Sequence, residues 1–415
     1  MFDAVPQVDG FYQGDRNLYR LAVIWHRLGP YHMARLRALG KHSDLTAIEM
    51  SGEDNTYAWN KTVGGENFRR LTVFPTCDCD TRPRAEIAAR LFSTLNDVKP
   101  DIVAIPSWGE SYALMALDWS LATNTHNLVM TDSNVYDKSR SWWKEAIKRR
   151  IVRFFQSGLV SSTDHRTYLE SLGMPRERIF FGYNVVDNAY FAEGAATAVQ
   201  NRKVLAEKFQ VPERFFLCSA RFVEKKNLFR LLDAFALYKK RAGESAWPLV
   251  LLGDGPLRAG LEQHREKLGL SKMVMFPGFK QYAELPFYYG LASVFVLAST
   301  EEQWGNVVNE SMVCGLPVLV SNKCGCAPTL VKEGQNGYLF DPLQAESLAV
   351  LLLKCSNGEF DLTAMGKASR EIINTWNPDT FAENMIRAVD CSLAQAKPSA
   401  SFLDRQVLRL LARTR

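Results

Sequence analysis

Short β-rich runs alternate with helical stretches from one end of this 415-residue chain to the other. In the first half the runs are Leu21–Trp25, Leu45–Met50, Leu71–Phe74, Asp101–Ile105, Leu128–Thr131 and Gly158–Ser161. In the second half they are Phe215–Ser219, Leu249–Leu252, Met273–Phe276, Val294–Leu297, Val318–Val320 and Tyr338–Phe340. Helical patterns such as Arg84–Leu95, Ser111–Ala122, Leu228–Lys240 and Leu257–Leu268 fall between them. Strands separated by helices pair in parallel, and a parallel sheet is covered on both faces. Twelve such runs are too many for one compact twisted sheet. The chain is therefore expected to be α/β, with two Rossmann-like domains facing across a cleft. The stretch Glu193–Asn201 is small and polar, and Val211-Pro212 precedes the first run of the second half. The expected division is 1–192, 193–376 and a C-terminal piece, 377–415, packing back on the first domain.

Composition limits the partners. The content is 47% hydrophobic and 23% charged, as in an ordinary globular protein. A net charge of +5 suits an anionic partner such as a nucleotide or a lipid headgroup and does not call for nucleic acid. No apolar run reaches the roughly 18 residues of a membrane span. The segment Met1–Asp9 has neither the basic start nor the apolar centre of a signal peptide. Eight cysteines scattered through apolar segments or spaced Cys-x-Cys suit a reducing cytoplasm better than a disulfide scaffold.

Chemistry concentrates in the second half. Ser293–Leu297 reads as a buried strand, Asn306–Cys314 as a helix, and Leu316–Val320 as the next buried strand. Between the first two lies Thr300-Glu301-Glu302-Gln303-Trp304-Gly305, and Glu310 sits on the helix with seven residues between it and Glu302. A strand–loop–helix unit presents backbone N–H groups at the helix start, where anions bind. Two carboxylates flanking that start repel phosphate but suit neutral hydroxyls, as on a sugar and a ribose. Arg221 and Lys226 follow the first strand of this half, at the strand edge where α/β sheets bind ligands. A forked guanidinium and an ammonium there suit a diphosphate, although a solvated basic turn has the same composition. Gly253-Asp254-Gly255-Pro256 follows the next strand and lacks the third glycine of a dinucleotide fingerprint.

The first half offers fewer groups. His26, Gly29 and His32 follow its first strand, with Gly29 able to admit a close ligand; either histidine is placed to touch substrate or to serve as a surface or capping residue. Asp132 ends the Leu128–Thr131 run and Trp108-Gly109-Glu110 the neighbouring one. Asp78-Cys79-Asp80 has the spacing of a metal-carrying Asp-x-Asp, but it lies in the half without phosphate-binding features. A zinc site from Cys77, Cys79, Cys324 and Cys326 is disfavoured because one intervening residue is shorter than the usual spacing. Ser141–Phe155 and Phe402–Arg415 are basic amphipathic helices, the latter with Leu403, Val407, Leu410 and Leu411 at helical spacing. Each fits a helix packed on the sheet or contact with anionic lipid.

Taken together, these residues resemble a retaining glycosyltransferase of family four, with the two-domain GT-B fold. The resemblance runs through Ser219–Asn227, Leu251–Leu257, Met275–Phe279, the Glu302/Glu310 pair and Gly334–Pro342. Residues 178–191 are similar to the family's interdomain segment, and Trp376-Asn377-Pro378 to the point where the chain leaves the second domain for a helix at about 379–393. The resemblance implies that Arg221 and Lys226 bind the donor diphosphate, that Glu310 accepts ribose hydroxyls, and that Glu302 contacts the transferred sugar. It places the backbone of Trp304, Gly305 and Asn306 beside that sugar, with the base against the loop at Gly278 and with Gly253 and Gly29 lining the cleft. It maps the family's first-domain acid or histidine to Asp132. It further implies front-face transfer without a metal or cofactor. The donor is then a nucleotide-diphosphate sugar and the acceptor a glycan or a lipid-linked glycan, at the inner face of a membrane. A non-catalytic nucleotide-sugar sensor and a sugar-nucleotide epimerase on the same fold are the rivals; no carboxylate and histidine set suited to epimerisation stands out.

Overall fold

The computed structural model describes residues 19–53, 62, 64–65, 67–135 and 141–414. The readings of Met1–Asp9 and of Arg415 lie outside them. The first half carries strands β1 (Arg20–Trp25), β2 (Asp44–Ser51), β3 (Arg69–Phe74), β4 (Ile102–Pro106), β5 (His126–Thr131), β6 (Gly158–Val160) and β7 (Ile179–Phe181). Its helices are α1 (Pro30–Leu39), α2 (Arg84–Val98), α3 (Ser111–Thr123), α4 (Trp142–Val152) and α5 (Thr163–Ser171). Two helices, α6 (Asn188–Gln200) and α7 (Arg202–Phe209), lead into the second half. There the strands are β8 (Phe216–Ser219), β9 (Leu249–Leu252), β10 (Val274–Gly278), β11 (Val294–Leu297), β12 (Val318–Ser321) and β13 (Gly337–Phe340). They alternate with α8 (Leu228–Ala242), α9 (Arg258–Lys267), α10 (Leu285–Leu291), α11 (Asn306–Val313), α12 (Ala327–Leu330), α13 (Ala345–Ser356) and α14 (Leu362–Ile373). The chain ends in α15 (Pro378–Leu393) and α16 (Phe402–Thr414).

The two sheets are parallel throughout, ordered β3-β2-β1-β4-β5-β6-β7 and β10-β9-β8-β11-β12-β13. Central strands are buried on both faces, as in β11, where all four residues are inaccessible, which is why they read as unbroken apolar runs. In each sheet the order reverses beside the first strand, between β1 and β4 and between β8 and β11. Ligands of open α/β sheets bind at that reversal, beyond the carboxyl ends of the strands. The loops so placed are those after β1, β4, β8 and β11, which hold Gly29, Trp108, Arg221 with Lys226, and Glu302. α15 packs against α1 and strands β5, β6 and β7, returning the chain to the first sheet.

Three local expectations differ from the structure. Glu193–Asn201, read as a polar break, forms the last turns of α6 and its cap at Asn201. Its alanines favour helix, Asp187 caps the start by accepting the Tyr190 N–H at 3.1 Å, and its small residues permit close packing. A Cβ on Gly290 of α10 would lie 2.8 Å from the Ala195 backbone. The expected boundary at 192/193 thus falls inside a helix packed on the second half. β7, a three-residue edge strand, is the thirteenth strand, one more than the sequence pattern marks. In α16 the inward residues are Asp404, Leu408 and Ala412, whereas Leu403 and Leu410 face outward. Ion pairs set that rotation. The buried Asp118 of α3 accepts from Arg405 and Arg409, both at 2.9 Å. Asp404 accepts from Arg150 of α4 and from Arg153, which caps that helix, at 2.8 and 2.7 Å. The Ser401 hydroxyl, with these two arginines, holds the Asp404 carboxyl down to about 2.

Candidate active site

The β8 loop is set by its neighbours. Asn227 adopts a left-handed conformation, with φ 57°, and its amide donates to the carbonyls of Ala298 and Pro342 at 3.1 and 2.8 Å. Gly253, at φ +127°, approaches so closely that a Cβ would lie 1.8 Å from the Ala220 carbonyl oxygen. Its role is to let the β9 turn press on the loop that carries Arg221 and Lys226. Gly278 joins this arrangement, its carbonyl accepting from the Gly253 N–H at 3.0 Å. Across the sheet reversal, the Thr300 N–H donates to the Lys225 carbonyl at 2.9 Å. The two loops are thereby tied, and Lys226 and Glu302 form an ion pair with both side chains mostly buried.

Gly305 caps α11 at φ +109°, a conformation that strains any residue with a side chain. The helix start beyond it presents N–H groups without intrahelical partners. The Asn306 side-chain oxygen is buried there without a hydrogen-bond partner. Trp304 turns its indole into the core, donating to the Asn309 side chain at 2.9 Å and packing on Trp376 at 5.3 Å between centroids. Only its backbone is thus available to a ligand. One turn into α11, Glu310 is fully buried. It accepts from the Tyr289 hydroxyl at 2.6 Å and from the Tyr31 hydroxyl of α1. Burial pushes its carboxyl up to about 7, while the two tyrosine hydroxyls pull the other way.

The first half closes over this unit. Asp132, beyond β5, accepts from the Asn184 amide at 3.1 Å. Burial raises its carboxyl above the ordinary range, the Asn184 bond and Arg35 oppose that, and the nearby Glu302 adds to it. Asp132 and Glu302, from different halves, therefore share one cleft. Arg35 is buried and donates to the carbonyls of Tyr183 at 2.8 Å and Tyr31 at 3.2 Å, fixing the α1 end at the cleft. His165 donates from Nε2 to the Gln303 carbonyl at 3.0 Å, a second bridge onto the Glu302 loop. His32 accepts the Gly29 N–H at 3.1 Å, and burial holds it neutral; it caps α1 from beside Gly29. Tyr31, Tyr289, Asn184 and His165 were not marked by the sequence, since each reaches the cleft through tertiary proximity. Tyr31 stands directly after the Gly29-Pro30 turn, the one local signal available.

The remaining sequence candidates take other parts. Asp78 caps a short turn, accepting from the Asp80 N–H at 3.0 Å, and Asp80 pairs with Arg84 at 3.3 Å. Among the described residues, the one His, Cys, Asp or Glu grouping compact enough to share an ion is His26, Asp78 and Cys79. The His26 ring lies between them, Nδ1 toward Cys79 at 3.8 Å and Nε2 toward Asp78 at 3.4 Å, rather than offering one nitrogen to both. Cys324 and Cys326 are buried free thiols outside that group. No described helix is long and apolar enough to cross a membrane.

Residues 201–372 match the family described as glycosyl transferases group 1. Mannosylfructose-phosphate synthase of Agrobacterium fabrum is 25% identical over 249 residues, 56% of this chain and 53% of that protein. The amylovoran biosynthesis glycosyltransferase AmsK of Erwinia amylovora is 31% identical over 165 residues, 38% of this chain and 40% of that protein. A GDP-mannose-dependent phosphatidylinositol monomannoside mannosyltransferase of Mycobacterium tuberculosis is 26% identical over 261 residues, 59% of this chain and 65% of that protein. The chain thus spans about half the length of the curated relatives it matches. Among solved structures, Anabaena HepE in complex with UDP superposes with a TM-score of 0.68 at 17% identity, over 90% of this chain and 100% of that one. The sucrose-phosphate synthase of Thermosynechococcus elongatus does so at 0.71 and 18% identity, over 91% and 99%. At these identities the likeness establishes the GT-B fold.

Proposed function

We propose a donor-site mechanism for this chain, which belongs through residues 201–372 to the glycosyl transferases group 1 family: it moves a sugar from a nucleotide-diphosphate donor to an acceptor hydroxyl with retention. The observation that carries this is the Lys226–Glu302 ion pair at the reversal point of the second sheet, joining the loop after β8, which also holds Arg221, to the loop that leads into α11 and Glu310. A diphosphate entering beside Arg221 draws the Lys226 ammonium from Glu302. The freed carboxylate then accepts from hydroxyls of the donor sugar, next to the N–H groups that open α11. The ribose hydroxyls replace the Tyr31 hydroxyl on Glu310. In the transfer step the anomeric carbon's bond to the diphosphate oxygen breaks and its bond to the acceptor oxygen forms on the same face. The departing phosphate takes the acceptor's proton, and Arg221 and Lys226 stabilise its charge. Asp132, across the cleft, orients the acceptor. These residues supply the charge stabilisation themselves, so the mechanism needs no metal or cofactor.

The relatives include an amylovoran biosynthesis glycosyltransferase and a phosphatidylinositol monomannoside mannosyltransferase, which supports a glycan or lipid-linked acceptor. The surface supports a membrane location. Trp142 and Trp143 of α4 and Phe402 and Leu403 of α16 are exposed. The Arg150 and Arg153 bonds to Asp404 hold the two helices together. Aromatic and basic residues on paired helices suit the inner, anionic face of a bilayer. The direct test is to incubate the protein with UDP-, GDP- and ADP-sugars and a lipid-linked acceptor in EDTA, and read the anomeric configuration of the product by NMR. Retained configuration with release of one nucleotide supports the reading. An inverted product, or transfer that requires added metal, overturns the mechanism.

A further inference from the structure

Behind the cleft, where α1 passes the first turns of α6 and α15, the surface folds into a cavity of about 600 Å³. That size lies within the roughly 300–1,000 Å³ of small-molecule sites. Both halves build its walls. Arg37 and Lys41 come from α1 and the turn after it, Asp187 and Asn188 from the start of α6, Arg370 from α14 and Asp379 from α15. It stands apart from Arg221, Lys226, Glu302 and Glu310, none of which lines it.

Its charge is biased toward an anion. Three cations face two carboxylates, and both carboxylates are engaged. Asp379 pairs with Lys41 at 3.3 Å, and Asp187 accepts from the Tyr190 N–H at 3.1 Å. Among the described residues neither Arg37 nor Arg370 has a carboxylate partner; Arg370 donates to the Cys314 carbonyl at 3.0 Å. The N-terminal turns of α6 and α15 form part of the same wall, and their dipoles also favour negative charge. Forked guanidinium groups suit phosphate oxygens. One acceptor is open as well. The Asn188 amide donates to the Ile373 carbonyl at 3.2 Å, while its side-chain oxygen is buried without a protein partner. Buried polar atoms are rarely left unpaired, and a ligand hydroxyl satisfies this one.

We propose that this cavity binds a small hydroxylated phosphate ester, its phosphate between Arg37 and Arg370 and a hydroxyl on Asn188. Arg37 belongs to the first half and Arg370 to the second, so one ligand engages both. α1 also carries Tyr31, which links occupancy of the cavity to the contact on Glu310.

Calorimetric titration of the full chain with glycerol 3-phosphate, inorganic phosphate and glycerol tests this. Glycerol 3-phosphate is expected to bind, inorganic phosphate to bind more weakly, and glycerol to give no signal. Arg37 is exposed, so Arg37→Ala leaves the fold intact. The variant is expected to lose about tenfold or more in affinity for glycerol 3-phosphate, as expected for one charge-assisted contact, while binding nucleoside diphosphate normally. Two results overturn the proposal. One is no binding of glycerol 3-phosphate at millimolar concentration. The other is binding that Arg37→Ala leaves unchanged and Lys226→Ala abolishes, which would assign the anion to the donor site.

Discussion

Replacing Glu310 by glutamine should make the empty protein more stable above neutral pH while removing its grip on nucleotide. Glu310 is fully buried between two tyrosine hydroxyls, and burial raises its carboxyl from the ordinary 4.5 to about 7. The folded state then binds a proton more tightly than the unfolded chain. Stability from this group is complete below about 4.5, declines as pH rises, and is fully lost above about 7. A shift of that size corresponds to about 3 kcal/mol at alkaline pH. Glutamine has nearly the shape of the protonated acid and no charge to desolvate. The variant should match the wild type at about pH 4 and exceed it at pH 8 by up to about 3 kcal/mol, a figure that already contains the opposing pull of the two tyrosine hydroxyls. Urea denaturation at several pH values reads both the difference and its slope. Nucleotide should reverse the ranking, since an amide accepts ribose hydroxyls less well than a carboxylate. A variant less stable than the wild type at pH 8, or a difference that does not change between pH 5 and pH 8, would refute the reasoning.

The other predictions concern separate contacts. Lys226→Ala should reduce mainly kcat and Glu310→Ala mainly donor affinity, as steady-state kinetics will separate; near-normal turnover in both contradicts the site. Tyr31→Phe removes the hydroxyl that the ribose must displace, so nucleotide should bind more tightly, by about fivefold for one hydrogen bond of roughly 1 kcal/mol. Weaker binding in a titration would make Tyr31 a ligand contact instead. Asp118→Asn weakens two arginine bonds and should cost about 1–3 kcal/mol, releasing α16 to limited proteolysis; an unchanged digest contradicts that. Deleting residues 402–415 should weaken flotation with anionic vesicles but not neutral ones, and equal partitioning would remove α16 from the membrane surface.

Much of the fold is legible in the sequence because parallel strands covered on both faces must be continuously apolar, as Val294–Leu297 and Val318–Val320 are. Ile179–Phe181 is too short for such a pattern to stand out. The Glu193–Asn201 stretch misleads because small residues mark both flexible segments and close helix packing, and only the approach of Gly290 to Ala195 distinguishes them. The outward turn of Leu403 and Leu410 depends on Asp118, 287 positions from Arg405, a partner that helical spacing within α16 cannot reveal. At the site, Glu302 and Glu310 are visible because their chemistry is tied to a local strand–loop–helix. Tyr31 and Asn184 are not, because tertiary packing brings them to Glu310 and Asp132 from distant segments, the first across the two halves and the second within the first half.

The central claim is that the second half holds a nucleoside diphosphate through Arg221, Lys226 and Glu310. Thermal stabilisation by UDP, GDP and ADP in EDTA, with Glu310→Ala alongside, tests it most directly. A ligand at about a hundred times its dissociation constant adds roughly 2.7 kcal/mol. The account predicts a clear rise in melting temperature with one of the three, lost in the variant. No rise with any of them, or an equal rise in Glu310→Ala, would contradict it.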